Sequence, residues 1–490
     1  MISARTDKKP NIVFILADDH GAWALGCAGN DEIRTPHLDR LAAEGTRFSG
    51  FFCASPVCSP ARASILTGRI PSQHGVHDWI RSGNIDRESL TDSVRRSGVF
   101  RDEGEAAEYL QGQTTYTELL AANGYSCALS GKWHLGSSTT PQKGFARWFT
   151  IARGGCSYMK PDIVENGQVR IADRYITDLV TDHALQYLEA LSAEENPFYL
   201  AVHYTAPHSP WDRSEHPERY LRLYDDCPFR SAPELPPHPD QSPTCPTGQG
   251  EKRKELLRGY YASISAMDAG IGDIVAKLEE LGLRDDTLVI FMGDNGMNMG
   301  HHGIWGKGNG TFPLNMYDTS VKVPAIFSHP GVIPSGRVSD DLLSQYDVFP
   351  TLLEYAGLAR ACEQSMPGQS FSPLLKGEGG GPRERVVVFD EYGPVRMIRS
   401  KDWKYVHKYP YGPHELYDLR TDPDENENRI DDPQCKGALA AMRAEMSEWF
   451  RRYANPERDG VYAPVTGFGQ MQPYFRGNAE DVMFKQRDKR

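Results

Sequence analysis

Three short stretches of this 490-residue chain carry residue types that can do chemistry together. Asp18-Asp19 and Asp294-Asn295 supply three carboxylates and an amide oxygen. Each pair follows an apolar run, Asn11–Ala17 and Thr287–Met292, that reads as a buried strand. In open α/β sheets ligands sit outside the carboxyl ends of strands, so the two pairs can form one cage of hard oxygens. Carboxylates that close stay ionised only with a cation among them. Ca²⁺ suits such a cage better than Mg²⁺, which keeps several of its waters. The third stretch is Cys58-Ser59-Pro60-Ala61-Arg62. It reads as the opening of a helix with Pro60 in the first turn. Cys58 then meets unpaired backbone N–H groups and the positive end of the helix dipole, and Arg62 stands one turn on. The direct reading is a thiolate nucleophile. Soft sulfur beside hard calcium is a poor match, so the site chemistry asks for an oxygen nucleophile.

The elements that must hold these residues alternate. Strand-like runs at Asn11–Ala17, Arg47–Cys53, Tyr125–Leu129, Phe198–Tyr204, Thr287–Met292 and Val323–Ser328 are interleaved with helical patterns. These helices run from Pro36 to Glu44, Ser59–Thr67, Tyr116–Asn123, Glu255–Leu281 and Tyr346–Tyr355. The pattern predicts an α/β domain over 1–376, a large mostly parallel or mixed sheet flanked by helices on both faces. Gly377–Pro382 reads as a linker. Arg385–Glu391, Val395–Arg399 and Trp403–His407 then follow too closely for crossover helices, and Lys436–Tyr453 is a terminal helix. A small C-terminal antiparallel sheet with a helix is expected over 383–454, and an irregular tail over 455–490. Pro228–Pro246 reads as a long surface loop.

Cys58-Ser59-Pro60-Ala61-Arg62 fits Cys-x-Pro-x-Arg and resembles the signature of the type I, formylglycine-dependent sulfatases of the alkaline-phosphatase-like superfamily. Gly131-Lys132-Trp133-His134-Leu135-Gly136 resembles their second signature, and Ala206-Pro207-His208-Ser209-Pro210 their Pro-His-x-Pro turn. Glu415–Leu419 with Thr421-Asp422-Pro423 resembles their C-terminal signature. The resemblance runs through most of the chain and implies a sulfuric ester hydrolase, a sulfatase. It implies that a formylglycine-generating maturation enzyme oxidises Cys58, and that the hydrated aldehyde attacks sulfur, which removes the hard–soft conflict. It implies one Ca²⁺ on Asp18, Asp19, Asp294, Asn295 and the modified residue 58. Carried over, Lys132 contacts the sulfate and the ester oxygen, His134 hydrogen-bonds to formylglycine, and His208 protonates the leaving alcohol. Lys307 matches the second sulfate-binding lysine, and Arg62 can reach the nucleophile. The nearest alternative is a phosphonate monoester or phosphodiester hydrolase of the same superfamily, some of which share Cys-x-Pro-x-Arg. An arylsulfatase of broad specificity, a plain-thiol hydrolase and an inactive binding protein on this fold are the others. The Gly-Lys-Trp-His segment and the Asp-Asn pair favour sulfate.

The formal net charge is −12 and no long Lys/Arg block occurs, which argues against nucleic-acid or anionic-membrane partners. No apolar run approaches the length of a bilayer crossing. The nine cysteines lack framework spacing, which argues for a reducing compartment. With no apolar signal region at the N-terminus, the expected localisation is cytoplasmic as given, and periplasmic or secreted if a signal was removed. The expected partner is a small sulfated substrate, a saccharide. His77-Asp78-Trp79-Ile80-Arg81 opens a polar insertion in which Trp79 can pack on a sugar and Asp78 and Arg81 can bind its hydroxyls or a neighbouring carboxylate. The loop Pro207–Pro246 and the tail aromatics Tyr462, Phe468 and Tyr474 can narrow the site. His302 is a further candidate for the pocket lining, whereas His203, on its strand, is expected to be a packed histidine. The negative charge opposes long-range capture of a densely sulfated polymer.

Overall fold

The computed structural model describes residues 9–358, 365–390, 395–462 and 467–473. Glu391, Tyr474 and the side chain of Tyr462 lie outside this description. Ten strands form the large sheet: β1 (Asn11–Ala17), β2 (Thr46–Phe48), β3 (Ser126–Gly131), β4 (Arg147–Ile151), β5 (Asp162–Glu165), β6 (Gln168–Ile171), β7 (Phe198–His203), β8 (Thr287–Gly293), β9 (Ala325–Ser328) and β10 (Arg337–Ser339). Their order is β10-β2-β9-β8-β1-β7-β3-β4-β5-β6. The centre, β8-β1-β7-β3-β4, is parallel throughout. β9 runs antiparallel to both its neighbours and β5–β6 close the far edge antiparallel, so the sheet is mixed.

The central strands are apolar because both their faces are covered. Along β1, Ile12, Phe14 and Leu16 enter one core layer, and Val13, Ile15 and Ala17 enter the other. The second layer is closed by α1 (Pro36–Ala43), α3 (Ile176–Ser192) and α4 (Gly250–Glu280), through Leu38, Leu188 and Ile271 among others. The first is closed by α2 (Cys58–Thr67) and α5 (Val348–Tyr355), through Ala63, Ile65, Phe349 and Leu352. Asp268 of α4 accepts from the backbone N–H groups of His37 and Leu38 and so caps α1, whose own Thr35 makes no cap bond.

Several boundaries differ from the sequence expectation. The strand expected over Arg47–Cys53 is broken at Ser49-Gly50 into β2 and a short piece, Phe51–Phe52. A Cβ on Gly50 would stand 2.5 Å from the Asp341 carbonyl oxygen, so the break is a close backbone approach. The long helix expected from Glu255 starts five residues earlier, at Gly250. β4, β5, β6 and α3 had no counterpart in the sequence reading.

The small sheet has four antiparallel strands, Val386–Asp390, Val395–Arg399, Trp403–Lys408 and Glu415–Asp418, one more than expected. The helix Lys436–Tyr453 packs Met442, Met446 and Phe450 on it. Asp318 receives Arg399 and Lys404 across the junction with the large domain, and Glu425 joins the same buried network through Lys404.

Candidate active site

Four adjacent parallel strands end on one edge of the sheet, and each end carries a predicted site residue. β1 leads into Asp18-Asp19, β8 into Asp294-Asn295, β3 into Lys132 and β7 into the turn that holds His208. The registers Ala17↔Gly293 and Gly131↔His203 bring these ends level. Gly131 is required here: a Cβ on it would lie 2.0 Å from the His203 carbonyl oxygen. His203 itself is packed in the wall, with Nδ1 3.1 Å from the Lys132 carbonyl oxygen, as expected.

α2 brings Cys58 to the same edge. The helix begins at Cys58, is buried along its length, and ends on Gly68 in the left-handed conformation at φ 66°. The Sγ of Cys58 lies 3.2 Å from Asp18 Oδ1, 3.7 Å from Asp19 Oδ1 and 2.7 Å from Lys307 Nζ. Arg62 donates from Nε to Asp294 Oδ2 (3.0 Å) and from Nη1 to the Lys132 carbonyl oxygen (3.1 Å). Lys132 Nζ donates to Asp18 (2.6 Å) and Lys307 Nζ to Asp19 (2.6 Å). Ser59 Oγ donates to the His134 carbonyl oxygen (3.0 Å) and accepts from the Ile80 N–H (3.1 Å), locking α2 to both neighbouring segments.

The residues fit a hard cation. Asp18, Asp19, Asp294 and Cys58 each offer an atom within 4.8 Å of the others. The Asn295 side chain donates from Nδ2 to Asp19 Oδ1 and the Gly296 carbonyl oxygen, which fixes the orientation of the amide. Its Oδ1 is buried and finds no donor among the described residues. A buried acceptor without a donor beside three carboxylates is the environment a Ca²⁺ ion satisfies. Burial and the nearby Asp18 push the Asp294 carboxyl up, to about 7, against the pull of Arg62, whereas Lys132 and Lys307 overcome burial to hold Asp18 and Asp19 below the usual carboxylate range. Burial and Asp18 likewise hold the Cys58 thiol well above its ordinary value, so a free thiolate is disfavoured at neutral pH.

The two histidines are held differently. His134 donates from Nε2 to the Ile80 carbonyl oxygen (2.9 Å), leaving Nδ1 as a buried acceptor. Burial and Lys132 keep it neutral, well below the usual histidine range. His208 is half-buried, with Nδ1 2.6 Å from the Ser209 carbonyl oxygen and Nε2 3.7 Å from Asp19 Oδ2. Burial lowers its pKa, against the pull of Asp18 and Asp19.

Cys58, His134, His208 and Lys307 line a cleft of about 780 Å³. Trp79, Arg81 and Phe468 also line it, as the sequence reading expected. The loop Pro228–Pro246 contributes Ser242, Thr244 and Cys245. Two expectations change. Asp78, expected to meet the sugar, is buried, accepts from the Trp79 N–H and is not among the cleft-lining residues, whereas Asp102, 21 positions beyond Arg81, lines the cleft and pairs with that arginine at 2.9 Å. His302 is not among the cleft-lining residues: its backbone is left-handed (φ 53°) and its ring stacks on Tyr317 at 3.7 Å. The sequence reading also missed Asn84, Glu103, Arg153, Gly154, Gly155 and Phe312 in the cleft wall. Only the Gly154-Gly155 pair carried a signal, since paired glycines mark a close backbone approach. A Cβ on Gly154 would lie 2.1 Å from His134 Nε2.

Comparison with known proteins decides the family. The Sulfatase family profile matches residues 10–358, more than half of the chain. The chain belongs to the sulfatase family. A second profile, the C-terminal region of N-sulphoglucosamine sulphohydrolase, matches residues 300–452. Human arylsulfatase A is 30% identical over 470 residues, which span 86% of this chain and 84% of that protein. The N-acetylglucosamine-6-O-sulfatase of Bacteroides thetaiotaomicron is 27% identical, covering 86% of this chain and 82% of its own length. A sulfatase solved in complex with its substrate D-glucosamine-2-N,6-O-disulfate superimposes with a TM-score of 0.75 at 25% identity, covering 92% of this chain and 99% of that one. The sulfatase described here is therefore a sulfuric ester hydrolase of the alkaline-phosphatase-like superfamily.

Proposed function

We propose that this sulfatase hydrolyses a sulfate monoester of a carbohydrate, with residue 58 matured to formylglycine and one Ca²⁺ in the carboxylate cage. The observation that carries the reading is the position of Cys58 Sγ at the base of the cleft, between Lys307 Nζ (2.7 Å) and Asp18 Oδ1 (3.2 Å). Sγ marks the place of the nucleophilic oxygen. The hydrate of formylglycine supplies that oxygen where the thiol cannot. Ca²⁺, held by Asp18, Asp19, Asp294 and Asn295 Oδ1, supplies charge neutralisation and polarisation of bound oxygens.

The chain's own residues do the rest. Lys132 and Lys307 are placed to bind sulfate oxygens, on which charge grows toward the transition state. His134 Nδ1 is fixed as an acceptor for a proton from residue 58. His208 Nε2, when protonated, is the donor to the leaving alcohol. Arg62 braces the cage and the Lys132 backbone together. The carbohydrate assignment is supported by relatives named for sulfated sugars, including the ulvan-active sulfatase of Formosa agariphila, 29% identical over 90% of this chain.

The test has two parts. Mass analysis of the peptide bearing residue 58, with calcium measured on the same sample, should show the aldehyde in active protein and one equivalent of calcium. Protein made without the maturation enzyme should retain the thiol and be largely inactive, and full activity with the thiol would overturn the mechanism. A panel of sugar sulfates, aryl sulfates and phosphate diesters then reads the substrate. Turnover of aryl sulfates alone would leave an arylsulfatase.

A further inference from the structure

Beyond the sulfate-binding base, the cleft opens to a mouth built by segments that carry none of the signature residues. The first is the C-terminal stretch 467–472 laid along Trp79–Arg81. The Gln470 N–H donates to the Trp79 carbonyl oxygen (2.8 Å) and the Arg81 N–H to the Gln470 carbonyl oxygen (2.9 Å). The buried Gln470 side chain accepts from the His77 N–H (2.8 Å) and donates to the Gly75 carbonyl oxygen (3.1 Å). Trp79 packs on Gly469, where a Cβ would come within 2.7 Å of the indole. This strap sets Phe468 and Trp79 around the Arg81 guanidinium, with ring centroids 5.4 and 5.8 Å from it. Arg81 Nη2 in turn donates to Asp102 Oδ2.

The second segment is the loop after Lys307. It presents Phe312 to the cleft with 59% of the residue exposed, although its backbone is tied down by the Phe312 N–H to the Asp240 carbonyl oxygen (2.9 Å). Phe468, 38% exposed, lines the same cleft. A ring held out in water beside a cleft, as that of Phe312 is, marks a binding surface.

We propose that these two segments form a second sugar subsite, which takes an uncharged pyranose linked to the sulfated residue. Phe312 and Phe468 contact its apolar faces and the Arg81–Asp102 pair its hydroxyls. The proposal rests on the carbohydrate reading above. A pyranose has C–H faces and hydroxyl edges, and this mouth offers both kinds of partner side by side. A bare aryl group would leave the Arg81–Asp102 pair without hydrogen bonds from the ligand. An anionic neighbour is disfavoured because the wall's cations are already matched: Arg81 by Asp102, and Arg153 by Asp162 through two bonds of 2.9 and 3.1 Å. Glu103 adds a further carboxyl to the same wall. The cleft volume of about 780 Å³ lies in the upper part of the range of small-molecule sites, larger than a sulfate-bearing ring alone demands.

The test compares kcat/KM of the matured enzyme on a sulfated monosaccharide, on neutral oligosaccharides ending in that residue, and on an oligosaccharide whose second residue carries a carboxylate. The neutral oligosaccharide should be preferred over the monosaccharide by about five- to tenfold, mainly through KM. Phe312→Ala should remove most of that preference and Phe312→Tyr should retain it. The carboxylate-bearing substrate should lose the gain. Equal rates on mono- and oligosaccharide, or a preference unmoved by Phe312→Ala, would overturn the subsite while leaving the carbohydrate reading intact. No turnover of any sugar sulfate, with aryl sulfate hydrolysed, would overturn both. Phe312 is exposed, so a melting temperature equal to wild type confirms that any change is not misfolding.

Discussion

Arg62 ties two parts of the site together through one planar group. Its guanidinium bonds Asp294 of the cage and the carbonyl of Lys132, the lysine proposed to clamp the sulfate. Arg62→Lys keeps the charge and loses the fork. It should leave a buried acceptor unpaired and cost about 1–3 kcal/mol of stability. Displacing the clamp should lower kcat/KM on the order of 100-fold. Thermal unfolding and kinetics at saturating calcium check this, and a wild-type rate would show that the fork does not position the site. His208 gives the sharper test of role. With Nε2 facing the cleft, His208→Ala should cost about 10²–10⁴-fold on a sugar sulfate, whose leaving alcohol needs a proton. It should cost far less on nitrophenyl sulfate. An equal loss on both would remove His208 as the acid.

At the scale of elements, positions depend on backbone approaches that glycine permits. Gly154, past the end of β4, lets the wall close on His134. Gly154→Ala would place a methyl 2.1 Å from Nε2 and push the ring off the Ile80 carbonyl. The expected result is a loss of about 1–3 kcal/mol in stability together with a fall in kcat, read from melting curves and initial rates. An unchanged kcat would mean that the ring finds its place without that bond. The same scale separates what the sequence made legible from what it did not. β1 and β8 are continuous apolar runs ending in acids, and α2 opens on a signature, so the base of the site could be read directly. α3 carries helical spacing in Ile176, Leu179, Val180, Ala184, Leu188 and Leu191, but Thr177, Thr181 and His183 interrupt the stripe and mask its period. The cleft mouth was only half legible. Trp79 and Phe468 stand out as aromatics, yet their meeting rests on Gln470 pairing with Trp79 across 391 positions, which no local period encodes. His302 failed for the converse reason. Its place beside the Asp-Asn pair suggested the pocket, but a left-handed backbone turns it onto Tyr317.

For the molecule as a whole, the sheet concentrates buried charge of both signs at one edge. Two parallel strand ends bring Asp18, Asp19 and Asp294 together in a chain of net charge −12, and the answering cations are Lys132, Lys307 and Arg62. On the proposed reading those lysines bind sulfate, and a metal would take over part of their task at the carboxylates. A cation that binds only the folded cage stabilises the fold by mass action, about 2.7 kcal/mol at a hundredfold excess over Kd. Chelation with EGTA should therefore lower the melting temperature by a few degrees, and added Ca²⁺ should restore it in a saturable way. The same titration on Asp294→Asn should show a much smaller shift, because one ligand charge is gone while the shape is kept. This readout is independent of turnover and of the maturation state of residue 58. If EGTA leaves the wild-type midpoint unmoved and metal analysis finds no calcium, the cage is balanced by its lysines alone, and the nucleophile would have to be activated by Lys307 and His134 without a metal.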